Sequence, residues 1–155
     1  MSKKFVLALG FLIAVGNISF AQSLQEEVEM FQAVFGMEKK AMTLVFIENE
    51  GDDAFWTLYD QYEIDRKLLG QKRLQLLADY ANNYGAMNDE KTDELMKAVR
   101  TQKKSLDKLI DKYYKKIKKS SGSKIAAQFY QLENYILGAI RLEILDNIPF
   151  FDEFD

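Results

Sequence analysis

Proline occurs once in this chain of 155 residues, at Pro149, and the glycines are few and widely spaced. These two residues interrupt helices most reliably. Proline lacks an amide hydrogen and clashes with the preceding turn, and glycine loses the most backbone entropy on ordering. A chain so rarely punctuated over so long a stretch is directed towards long helices.

The first residues read differently. Lys3 and Lys4 form a short positive stretch, Phe5 to Val15 is apolar and uncharged, and Ser19-Phe20-Ala21 places small residues where a signal peptidase cuts. The apolar run falls short of the roughly 20 residues that span a bilayer. The expectation is a cleaved signal peptide over 1–21 and a single helical domain over 22–155, soluble in the periplasm, with no transmembrane anchor after cleavage. No cysteine follows the apolar run, so an acylated lipoprotein is not expected.

Four helical segments can be read. The first runs from about Leu24 to Glu48 with a bend at Gly36 or Met37. Its face is Leu24, Val28, Phe31, Phe35, Met42, Val45 and Phe46. Glu48 to Asp52 makes a turn, and Asp52 or Asp53 caps a second helix that runs to about Asn83. Its stripe is Phe55, Tyr59, Tyr62, Leu69, Leu76 and Tyr80, interrupted by Arg66 and Arg73, and Gly85 suits a left-handed terminus. Asn88 caps the third helix, whose seam is Leu95, Val99, Gln102, Leu106, Leu109, Tyr113 and Ile117. After a turn at Ser120–Ser123, with Ser123 as cap, the fourth carries Ile125, Phe129, Leu132, Ile136 and Ala139 and stops before Pro149. Matched lengths and short turns predict an all-α, elongated antiparallel hairpin or bundle of about four helices, which dimerisation could complete.

Composition narrows the chemistry. Cysteine and histidine are both absent, which removes Cys–His nucleophile pairs, thiolate zinc sites and imidazole metal ligands together. The expectation is no catalytic residue, no metal, no cofactor and no enzyme. Glu48, Glu50, Asp52 and Asp53 lack the register of a calcium loop and read as capping residues. Without Lys3 and Lys4 the chain holds 19 basic and 24 acidic residues, which argues against general nucleic-acid binding.

The charge is unevenly placed. Arg100 to Lys119 holds nine basic residues against Asp107 and Asp111. At 100° per residue, Arg100, Lys104, Lys108, Lys115 and Lys119 fall mostly opposite the apolar seam. Like charges such as Lys104, Lys108 and Lys112 at four-residue spacing cost about a few tenths of a kcal/mol each, so an unselected face would mix signs more. These six are candidate partner-binding residues, on a solvated face that also has the plain role of keeping the helix wet. The tail Ile148 to Asp155 sets three phenylalanines beside three acids. Phe150, Phe151 and Phe154 are the other candidates, for packing back on the bundle or for a partner. Tyrosine hydroxyls on the seam need partners, for which Arg66 and Gln102 are at hand.

At Phe55-Trp56-x-x-Tyr59-x-x-Tyr62-Glu63, Leu77-Ala78-Asp79-Tyr80-Ala81 and Ala127-Gln128-Phe129-x-Gln131-Leu132-Glu133, the chain resembles a group of exported helical proteins of Gram-negative bacteria. It is more distantly similar to the Spy/CpxP family of periplasmic stress proteins, in its signal-like start, its lack of cysteine and its long antiparallel helices. That likeness implies a dimer that cradles partly folded proteins, so an ATP-independent chaperone or envelope-stress sensor is the expected function. The alternative is a partner-specific adaptor or accessory subunit of a membrane signalling or transport system, binding one envelope protein through the acidic aromatic tail.

Overall fold

The computed structural model describes residues 35–47 and 52–147. The signal-like start, the Leu24–Phe31 part of the first face, most of the Glu48–Asp52 turn and the tail from Ile148 lie outside the described residues. Among those described, every regular element is helical. Helix α1 covers 35–46, α2 Asp53–Asn83 and α3 Asp89–Asn147, and a single 3-10 turn, Tyr84–Ala86, separates α2 from α3.

Among the described residues there are thus three long helices and not four. The expected third and fourth segments form one run in which Gly122 alone leaves helical conformation, at φ 90° and ψ 170°. That one residue reverses the chain. The rings of Tyr114 and Tyr130 lie 5.8 Å apart, whereas sixteen residues of straight helix would separate them by about 24 Å. Gly122 therefore divides α3 into a first arm, 89–121, and a second arm, 123–147, folded side by side. No loop is needed, because glycine alone reaches this backbone region without a Cβ penalty. Gly122, not Ser123, takes the non-helical position. Ser121 ties the reversal to the start of α2, its hydroxyl donating to Asp52 Oδ1 at 2.8 Å.

Two expected caps form. Asp52 Oδ1 accepts from the Phe55 amide at 2.7 Å, and Asn88 Oδ1 from the Lys91 amide at 2.9 Å. Gly85 does not adopt the left-handed conformation; the 3-10 turn closes α2 instead. Residues 35–46 are helical at both Gly36 and Met37, and the stretch of the expected first segment that precedes them lies outside the described residues.

Pairings across the helices fix the directions. Lys39, Lys40 and Thr43 meet Glu63, Asp60 and Tyr59, so α1 is antiparallel to α2. Asp65 meets Tyr113 at 2.9 Å, the Leu69 carbonyl accepts from Gln102 at 3.1 Å and Asp79 meets Lys91 at 3.0 Å, so α2 is antiparallel to the first arm. Along the second arm Tyr62 and Arg73 lie beside Glu133 and Arg141, a course parallel to α2.

The core sits where all of these meet. Phe55, Tyr59, Tyr62, Leu106, Leu109, Ile110, Tyr113, Ile117, Ile125, Ala126 and Phe129 form its main body. Tyr62 lies edge-on to Tyr113 at 5.4 Å and to Phe129 at 5.0 Å, the geometry in which ring edges meet ring faces favourably. Some expected core positions are open instead. Val45, Phe46, Val99 and Ala139 are exposed, and Leu69, Leu76 and Tyr80 are half-buried.

Replacing Gly122 by alanine should be costly although no neighbour lies within 4 Å of the added Cβ. The expense is backbone strain, about 1–3 kcal/mol. Urea unfolding followed by circular dichroism should show that loss, and an unchanged midpoint would mean the reversal does not depend on glycine.

Candidate functional site

The inward row of α1, continued by the residue just past its end, is Phe35, Lys39, Thr43 and Ile47, spaced by four and all buried. Two of its four positions are polar, so α1 cannot dock by apolar burial alone. Lys39, with no exposed surface, reaches between α2 and the second arm. Its ammonium meets Glu63 and lies 2.6 Å from Glu133 Oε1, the latter an ion pair lacking hydrogen-bond direction. Glu133 Oε2 accepts from the Tyr62 hydroxyl at 2.5 Å. Glu63 also takes Arg66, whose Nη2 and Nε lie 2.9 Å and 3.0 Å away, and the guanidinium rests 4.9 Å from the centre of the Phe35 ring. Above Lys39 stand the faces of Tyr62, at 4.7 Å, and Tyr59, at 5.4 Å.

Two cations and two anions thus close a neutral cluster from three helical segments. Burial raises the Glu63 carboxyl, but Lys39 and then Arg66 outweigh it and hold the group below the usual carboxylate range. Burial likewise pulls Arg66 down, and Glu63 more than restores it. The Tyr62 phenol is pushed well above its ordinary value by burial and then by Glu133, so it stays protonated as a donor. The hydroxyls of the three buried tyrosines find partners other than Arg66 and Gln102. Tyr62 uses Glu133, Tyr113 uses Asp65, and Tyr59 stands 3.1 Å from the Thr43 hydroxyl. Each charged group here is turned towards another of the cluster, an arrangement suited to holding helices together.

The sequence-derived basic candidates lie elsewhere, on the first arm. Arg100, Lys104, Lys108, Lys112, Lys115 and Lys119 are all exposed. Lys112 differs from the rest, pairing with Asp65 at 3.2 Å beside the Tyr113 ring. Among the described residues the other five enter no ion pair. From Arg100 to Lys119 they span about 28 Å of helix. Lys97, also exposed, extends this ridge by one turn; it shares the helical face but precedes the dense charge run. Phe150, Phe151 and Phe154 fall outside the described residues.

Apolar side chains are exposed too. Met37, Leu44 and Val45 share the outer side of α1, and Tyr135, Leu142 and Leu145 that of the second arm. Between α2 and the first arm lies an open groove lined by residues of both signs, among them Leu69, Lys72, Leu76, Asp79 and Lys97. Nearby, burial and then Arg141 lower Arg73 to about 10. Among the described residues no group of acidic side chains is placed to hold a metal ion, and no helix is long and apolar enough to cross a membrane.

Comparison with protein-family models, with curated proteins and with solved structures returns no match for this chain.

Breaking the cluster from one side should be expensive. Lys39→Met leaves Glu63 and Glu133 short of counter-charge and should cost about 3–5 kcal/mol. Adding Glu133→Gln, which keeps a partner for Tyr62, should restore much of that loss in denaturant titrations. A double variant no more stable than the single would mean the charges do not balance one another.

The pH dependence has a definite sign. A carboxyl held below its unfolded value stabilises fully above that value, about 4.3 for glutamate, and the contribution fades as pH falls through the folded one. Glu63→Gln should therefore be less stable at pH 7 and have a flatter stability curve between pH 5 and 2. Equal slopes for variant and parent would remove Glu63 from the acid transition.

Proposed function

We propose that this chain is a non-catalytic binding protein of the cell envelope, whose working surface is the lysine ridge of the first arm together with exposed apolar side chains. The reading is of an ATP-independent holder of partly folded proteins, or of a sensor of them. One observation carries it: five exposed cations in a row, none neutralised by a neighbour among the described residues. Mutual repulsion along such a row works against the helix that bears it, and the row attracts acidic chain segments by long-range Coulomb forces. Exposed methionine, leucine and valine on α1 add the apolar contact that unfolded chains offer. Export to the periplasm is part of the proposal and rests on the charge and apolar pattern of residues 1–21.

The test is aggregation suppression. Residues 22–155, mixed near stoichiometrically with two unrelated heat-unfolded proteins, should slow the aggregation of both, and less so as salt rises. Converting Lys104, Lys108, Lys115 and Lys119 to glutamine should abolish the salt-sensitive part. No effect on either client at low salt would sink the holder reading. Pull-down of one saturable envelope partner by the full chain, lost on deleting 148–155, would replace it with the adaptor.

A further inference from the structure

The seam between α2 and the second arm carries charge at two levels, and only the first is neutral. There Lys39 and Arg66 meet Glu63 and Glu133. From Tyr62, steps of four, three and four residues along one face of α2 pass Arg66 and Leu69 and reach Arg73. From Glu133, two steps of four along the second arm pass the buried Leu137 and reach Arg141. The two helices run parallel from the bond between Tyr62 and Glu133. Arg73 therefore stands about 16 Å beyond that bond and Arg141 about 12 Å, less than one turn apart in level. Phe35, Ile136 and Ile140 pack together in the stretch between the two levels.

The second level holds cations alone. Both arginines are half-buried. Among the described residues neither forms an ion pair, a hydrogen bond or a ring contact. Burial and then the nearby Arg141 lower Arg73 to about 10, which still leaves it charged near neutrality. Two positive charges, partly withdrawn from water and without a counter-ion, oppose the packing of the helices that bear them. Each guanidinium also offers a flat fork of donors that matches oxyanion oxygens in paired hydrogen bonds. A carboxylate would balance one of the two charges. A phosphoryl group brings about 1.5–2 negative charges near neutral pH and three strong acceptor oxygens, enough for both forks together.

We propose that Arg73 and Arg141 form a binding site for a phosphoryl group, the chemistry shared by soluble phosphate esters and lipid headgroups. The site lies on the seam between α2 and the second arm. It is separate from the lysine ridge of the first arm and does not depend on the role of that ridge.

The experiment is thermal unfolding of the full chain, followed by circular dichroism, in phosphate, acetate and chloride at pH 7 and equal ionic strength. Phosphate at about ten times its dissociation constant should raise the midpoint by about 4–8 °C over chloride, and acetate should raise it much less. Arg73→Met and Arg141→Met should each lose the phosphate shift. In chloride neither should be less stable than the parent, because each removes one charge of an unneutralised pair. A variant with Lys104, Lys108, Lys115 and Lys119 changed to glutamine should keep the shift. Flotation with phosphatidylcholine vesicles, with and without phosphatidic acid, separates the sources. Retention on phosphatidic acid that is lost in Arg73→Met marks a headgroup site, and a phosphate shift without such retention marks a soluble ester. No Arg73-dependent effect of either phosphate or phosphatidic acid would overturn the site, and so would loss of the shift in the lysine variant. An equal shift in acetate would overturn the phosphoryl assignment. A lower midpoint for Arg73→Met in chloride would mean that a carboxylate of the chain already neutralises the pair, which overturns it as well.

Discussion

Everything in this bundle leans on one buried ion cluster. Lys39 from α1, Glu63 and Arg66 from α2 and Glu133 from the second arm are pulled out of water together, and none could stand there alone. An isolated buried charge costs several kcal/mol even after relaxation, and mutual attraction repays this only when geometry and hydrogen bonding are good. The aromatic surroundings supply both. Tyr62 donates to Glu133 while its ring face meets Lys39, and Phe35 lies under Arg66. Such a cluster adds little net stability over an apolar core of equal volume. It does select one arrangement, because any other rotation or slip of α1 leaves a cation facing apolar side chains.

This cluster was the part least legible in the sequence. Apolar periodicity placed α2 and both halves of α3, because Phe55, Tyr59, Tyr62, Leu106, Tyr113, Ile117 and Phe129 repeat at helical spacing and are buried. It misplaced the face of α1, where Val45 and Phe46 were expected inside and Lys39 and Thr43 are found there. A pattern based on hydrophobicity cannot anticipate a buried lysine whose counter-charges lie 24 and 94 residues away. The one local trace is the strict four-residue row from Phe35 to Ile47. Arg66 was read as an interruption of its stripe for the same reason.

The other differences have local causes. The Ser120–Ser123 stretch looked like a loop between two helices, yet Gly122 makes the whole reversal, and serines on either side stay helical. The basic ridge was legible because solvated charges need no partner to declare their face, and Arg100, Lys104, Lys108, Lys115 and Lys119 are exposed as their angles require. Lys112 could not be told from them, since its partner Asp65 belongs to another helix.

The reversal at Gly122 also bears on the order in which the molecule can assemble. Contacts between α2 and the first arm can zip outward from the 84–88 turn, and contacts between the two arms from Gly122, so both sets begin with small loops that close at little entropic cost. The bond from Tyr62 to Glu133 spans 71 residues and exists only after both hairpins have closed. Until then Lys39 has half of its counter-charge and α1 has no complete seat. The N-terminal helix is accordingly the last to arrive and the first to leave, and its amides should exchange with solvent ahead of those of the arms. A chain emerging N-terminus first from the ribosome would carry this helix undocked until the segment around Glu133 had followed it out.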